Sequence, residues 1–175
     1  MELPGTTYLF NLSLISITFT AVSALVMLVR QTMGGKLSNF DVYLITSYIS
    51  FGFVLSLMAV LPPLVSLYEQ PPTVHWAIAS GLAAGLQFAV LVKIMRLRRV
   101  VSPEPWPFGV KLAFAIHGIG VLILLFNAVP TPWQGAHVFA TSLTLSVADI
   151  LWSFVRRISS LLGDKPGENW DPKRG

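Results

Sequence analysis

Asp149 is the residue of this sequence best placed to do chemistry. It stands inside the apolar run GAHVFATSLTLSVADILWSFVRR, residues 135–157, which ends on Arg156 and Arg157. A carboxylate at membrane depth is costly, so it marks a proton, ion or pairing site. Ser142, Ser146 and Ser153 fall three to seven residues from it on the same helical face. That polar stripe should turn toward other helices or water and away from lipid.

Counting from the charge at the inner edge of each apolar run finds more polar groups at the same depth. Asp149 is seven residues from Arg156, His117 six from Lys111, Gln87 six from Lys93, Tyr48 seven from Asp41 and Ser23 seven from Arg30. Six or seven residues of helix measure about 9–10 Å. If all five turn inward they form one polar layer that contains an acid and an imidazole. Histidine titrates near neutral pH, so such a pair suits proton handling. The competing role is structural, each polar contact between helices adding about 0.6 kcal/mol. The structural role is expected for Ser23, Tyr48 and Gln87. Asp149 and His117 are the candidates for function.

Two other constellations stand out. Ala77, Gly81, Gly85 and Ala89 recur every four residues and form a small-residue helix-packing face. Such a face lets another helix approach closely, either inside the same bundle or across a dimer. His75, His137 and Glu69 are the one set of residues with metal-ligand chemistry near a common level, but their spacing fits no metal motif. No metal and no cofactor is expected. Gly34-Gly35 is a turn signal, and no GxSxG, HExxH, Walker or GxGxxG pattern occurs. An enzyme is therefore the least favoured class.

The elements that must carry these residues follow from composition. Of the 175 residues, 54% are hydrophobic and 11% charged. A soluble domain carries about a quarter charged residues, so this chain belongs in a membrane. Its pI is near 9.7. The basic residues lie in short segments between apolar runs and not along a solvated face, which excludes nucleic acid as a partner. There are no cysteines, which removes disulfides and thiolate ligands.

Apolar runs at 7–29, 42–61, 74–92, 112–129 and 136–155 are each long enough to cross a core of roughly 30 Å. The first has no positive flank before it and reads as a permanent span rather than a signal peptide. The fold class is thus all-α, an integral membrane bundle of five transmembrane helices over residues 1–160. Lys and Arg collect on the cytoplasmic side of short loops. Five spans put all twelve basic residues on one side, with Glu69 and the N-terminus opposite. The N-terminus should be outside and the C-terminus cytoplasmic, with residues 161–175 a mobile tail.

Segments 42–99 and 112–157 resemble each other weakly, LMAVLPP and VHWAIAS against LFNAVPTP and AHVFATS. The match pairs His75 with His137, Ser80 with Ser142 and Gln87 with Asp149, as in a parallel hairpin repeat. Two functions are expected. One is a non-catalytic subunit that assembles with itself or a membrane partner. The other is a small proton- or cation-linked transporter or channel subunit built on Asp149 and His117. The expected location is a bacterial inner (plasma) membrane, with the lipid bilayer itself as a partner.

Overall fold

The computed structural model describes residues 5–32, 38–102 and 104–163, without the side chains of Arg30 and residues 157–163. Lys36 and residues 164–175, most of the expected tail, lie outside the described residues. Five helices fill the described chain: α1 (Thr6–Thr32), α2 (Asn39–Val65), α3 (Pro72–Val101), α4 (Phe108–Ala128) and α5 (Ala136–Gly163). All five are long and apolar enough to cross a membrane.

The helix ends follow local chemistry. Ser38 caps α2, its Oγ accepting from Asp41 N at 3.1 Å while Asp41 Oδ2 accepts from Ser38 N at 3.0 Å. This reciprocal box satisfies two backbone donors at once. Pro72 starts α3, where a missing N–H costs nothing. Arg98 and Arg99 close α3 beside the negative end of its dipole. Pro62 and Pro63 sit in the last turn of α2 and leave its middle regular.

In the bundle α2 packs on α3, α3 on α4, α4 on α5 and α5 back on α2. Those four helices form a ring. The first helix lies outside it, against α2 and α5. Gly52 permits that fit: a Cβ there would run into Thr20 Oγ1 and lie 3.1 Å from the Ser16 carbonyl. Phe19, Tyr48 and Phe154, one from each of α1, α2 and α5, meet edge to face with centroids 5.0–6.0 Å apart. Edge-to-face contact matches the positive ring edge to the negative ring face.

The ring has two different halves. At the end where α3 finishes and α4 begins, termed here the basic end, stand Lys93, Arg96, Arg98, Arg99, Lys111 and Arg156. The opposite half is filled by Met58, Ala59, Ala83, Leu124, Phe139 and Leu143, all fully buried. Outside, large apolar side chains such as Leu14, Leu82, Phe88 and Leu122 are half exposed or more. Apolar cover of this extent is foreign to water-soluble monomers.

Candidate functional site

The His117 imidazole is the centre of the site. It is buried on α4 and held from three sides. Phe51 of α2 stacks on its face, with centroids 4.2 Å apart and planes 11° from parallel. Asp149 Oδ2 of α5 lies 3.4 Å from Nε2, and both side chains keep under a tenth of their surface. Gln87 Nε2 of α3 lies 3.4 Å from Nδ1.

The Gln87 amide also donates to Ser146 Oγ at 2.9 Å and to the His117 carbonyl at 3.3 Å. A carbonyl can only accept, so the amide must present its nitrogen to His117. Nδ1 then faces the amide nitrogen, which cannot accept a hydrogen bond, so a proton on Nδ1 would have no partner there. In the neutral ring this puts the proton on Nε2, facing the Asp149 carboxylate. The amide nitrogen on one side and the carboxylate on the other both favour that tautomer. Its own Oε1 is buried with no hydrogen-bond partner among the described residues.

Gly120 lets the three helices close around this cluster. A Cβ there would lie 3.0 Å from Gln87 Nε2, 3.2 Å from Ser146 Oγ and 3.3 Å from Ser142 Oγ. Ser142 uses the gap to donate to the Gly120 carbonyl at 2.9 Å. On the far side of the cluster, Asn127 donates to Ser80 Oγ and accepts from Gly135 N, both at 2.8 Å.

Toward the basic end the ring opens into a cavity of about 680 Å³ with His117 and Asp149 in its wall. Its volume falls within the usual range for small-ligand sites. All four ring helices line it, through Tyr43 and Phe51 of α2, Arg98 of α3, Phe114 of α4 and Trp152 of α5, among others. Arg98 is almost wholly buried, its guanidinium carbon 4.7 Å from the Phe40 ring centre and 5.7 Å from that of Tyr43. Aromatic faces attract such a cation.

The structure brings Gln87, His117 and Asp149 of the expected layer into direct contact. Tyr48 reaches α5 one turn further along, its hydroxyl donating to the Ser153 carbonyl at 3.1 Å. Ser23 is buried but donates to the Phe19 carbonyl of its own helix at 2.9 Å. Of the stripe on α5, Ser142 and Ser146 are fully buried, and Ser153 lines the cavity. Gln87 and Asp149, matched across the two similar hairpins, address the same imidazole from its two nitrogens.

The small-residue face does not pack inside the bundle, contrary to one of its two expected uses. Gly81, Gly85 and Ala89 are exposed, Ala77 is half-buried, and among the described residues nothing lies within 4 Å of a Cβ built on either glycine. Gln87 and Ser80 decide this. Both need partners in the interior, and Gln87 sits about 200° around the helix from Gly85. Ala79, Ala83 and Ala84 make the close inward contacts instead.

Of the trio with metal-ligand chemistry, His75 has another partner. His75 Nε2 is 3.0 Å from the Tyr68 carbonyl and 3.3 Å from Gln70 N, so the ring pins the turn before α3. His137 and Glu69 are exposed. Among the described residues no three His, Cys, Asp or Glu side chains gather.

Arg98, Phe51 and Asn127 are site residues that the depth count passes over. Arg98 was readable: Gln87, Leu91, Ile94 and Arg98 follow a helical period on one buried face. Phe51 is apolar, and nothing in its spacing marks a stacking partner for an imidazole. Asn127 lies beyond the depth of the layer. Compared with known proteins, the chain matches no family model, no curated protein and no solved structure.

Proposed function

We propose that this chain is a multi-pass protein of a bacterial inner (plasma) membrane, N-terminus outside and C-terminus cytoplasmic, that serves as a small proton-linked transport subunit. The observation that carries the reading is the His117–Asp149 contact in the wall of a cavity confined to one half of the bundle. A half-channel of this kind gives one side access to an ionisable pair, while the apolar plug around Leu124 and Phe139 closes the other. The charge distribution supports a cytoplasmic opening, because the cavity lies at the basic end.

Five helices enclose little space, so complete passage requires a second copy or a membrane partner. The outward face of Gly81, Gly85 and Ala89 supports that association, since small residues admit a close helix. It is also what favours the second reading, a non-catalytic subunit whose work is assembly alone.

Flux in proteoliposomes separates the two. Under an imposed pH gradient, wild-type protein should move protons or a co-substrate, and Asp149→Asn should fold yet lose the pH dependence. Wild-type vesicles that stay as tight as empty ones, alone and with the co-assembled partner, would remove the transport reading and leave assembly.

A further inference from the structure

We infer that the cavity binds a small amphipathic organic cation, an aryl- or alkylamine, with its ammonium on Asp149 and its apolar body along the aromatic wall. The inference rests on the transport reading and deepens it by naming the substrate class. It starts from the Asp149 carboxylate. A carboxylate accepts at about four positions. Among the described residues this one has a single partner, His117 Nε2 at 3.4 Å. With the imidazole neutral, the pair carries one net negative charge at membrane depth, where unbalanced charge is costly. A proton or a ligand ammonium balances it, and the two compete for one carboxylate. That competition is what would link the ligand to the proton.

The other titratable or charged side chains in the cavity wall are Tyr43 and Tyr48 of α2, Arg98 of α3, His117 of α4 and Arg156 of α5. The two arginines stand away from Asp149. Arg98 is eleven residues along α3 from Gln87, which touches His117, so it lies about 16 Å further along the axis. It stacks on Phe40 and Tyr43 and is already partnered within the protein. Arg156 is exposed, and two turns of α5, about 10 Å, separate it from Asp149. At physiological salt that span exceeds a Debye length of about 8 Å. The deep end of the cavity is therefore governed by the acid.

The wall leading to it is aromatic, with Tyr43, Tyr48, Phe51 and Phe114. Ring faces attract an ammonium and also offer apolar area to a hydrocarbon or aryl body. Phe108 and Trp152 line the cavity and are exposed, so its rim is apolar as well. An amphiphile suits such a rim better than a small hydrated ion does. An inorganic cation would leave the aromatic wall uncovered, and an anion would meet Asp149 at the deep end.

Titration calorimetry on the full chain in phosphatidylcholine nanodiscs tests this, with empty nanodiscs correcting for partition. The probes are 4-phenylbutylamine, 4-phenylbutanol, 4-phenylbutyrate and ethylammonium. Saturable binding is expected for 4-phenylbutylamine, with the other three weaker by about tenfold or more. Asp149→Asn should weaken the amine by about tenfold. Arg156→Gln should leave its affinity unchanged or raise it. Equal binding of the alcohol, or preference for the carboxylate, would overturn the assignment. So would equal binding of ethylammonium, which lacks the apolar body. Unchanged affinity in folded Asp149→Asn, or a loss in Arg156→Gln, would overturn it too. If Asp149→Asn does not fold, the selectivity of the wild-type protein decides. The assay needs no gradient, so it is independent of flux. Amine binding without proteoliposome flux would keep the site and remove transport, and flux without amine binding would do the reverse.

Discussion

At the scale of single residues, the cluster around His117 combines structural and ionisable groups whose roles separate by substitution. Gln87 gives its amide hydrogens to Ser146 and to the His117 carbonyl, and it is fully buried. Gln87→Leu strands those acceptors and should cost about 1–3 kcal/mol. The melting temperature in detergent should fall accordingly, and an unchanged value would mean that the amide contributes no net bonding. Asp149 calls for a pair of variants. Asp149→Asn keeps the shape and most of the hydrogen bonding while removing titration. Asp149→Leu also takes away the acceptor facing His117 Nε2. Folding should survive in Asn and weaken in Leu, with any pH-dependent flux or melting between pH 5 and 8 lost in both. Pronounced wild-type pH dependence that persists in Asn would assign the titration to another group. The ionisable residues were legible in the sequence because charge inside an apolar run has few uses. Their partners were only half legible. Depth follows from counting along each run, but azimuth depends on which neighbour each helix meets. Ser23 has the right depth and bonds back to its own helix, while Phe51, with no polar atom, supplies the stacking face.

At the scale of the helix, two kinds of glycine predict opposite outcomes. At Gly52 the neighbouring helix leaves no space for a methyl group, and at Gly120 the side chains of Gln87, Ser146 and Ser142 would have to give by a few tenths of an ångström and loosen their hydrogen bonds. Gly52→Ala and Gly120→Ala should each destabilise by about 1–3 kcal/mol through overpacking. Gly85 faces outward, so Gly85→Ala should leave the monomer unchanged or raise its stability by up to about 1 kcal/mol through helix propensity. Gly85→Leu keeps the monomer fold but should abolish any dimer that uses this face. Thermal melting with size-exclusion chromatography in detergent reads both effects. A fall in monomer melting for Gly85→Ala would mean that the stripe packs within the chain after all. The number and order of helices followed from the apolar runs, because the runs are long and their breaks carry proline or charge. The ends did not. The third run stops by hydropathy near residue 92, whereas α3 continues to Val101. Hydrogen bonding and the buried Ile94 and Arg98 sustain that extra length, and neither enters a count of apolar residues. The facing of α3 stayed open for a related reason: repeated small residues mark where a helix can approach closely, while buried polar groups determine which side turns in.

At the scale of the whole molecule, the remaining question is which end of the bundle faces which compartment. Every described basic residue lies in the half that holds the cavity, so orientation and cavity access are one prediction. The chain has no cysteine, so single cysteines can be introduced without background. Arg99→Cys and Lys111→Cys mark the basic end, and both positions are exposed. Arg98 is unsuitable because it is buried beneath Phe40. Gln70→Cys and Pro132→Cys mark the loops at the other end and are exposed too. With N-terminus out and C-terminus in, an impermeant thiol reagent added to intact cells should label positions 70 and 132 and spare 99 and 111. Permeabilised cells should label all four, which controls for burial in an oligomer. Substituting Phe108, exposed at the start of α4 and part of the cavity wall, extends the test to the cavity itself. Phe108→Cys should react only after permeabilisation. Labelling of positions 99 and 111 in intact cells would invert the bundle. The cavity would then open outward, against the distribution of lysine and arginine, and the His117–Asp149 pair would take protons from the opposite compartment.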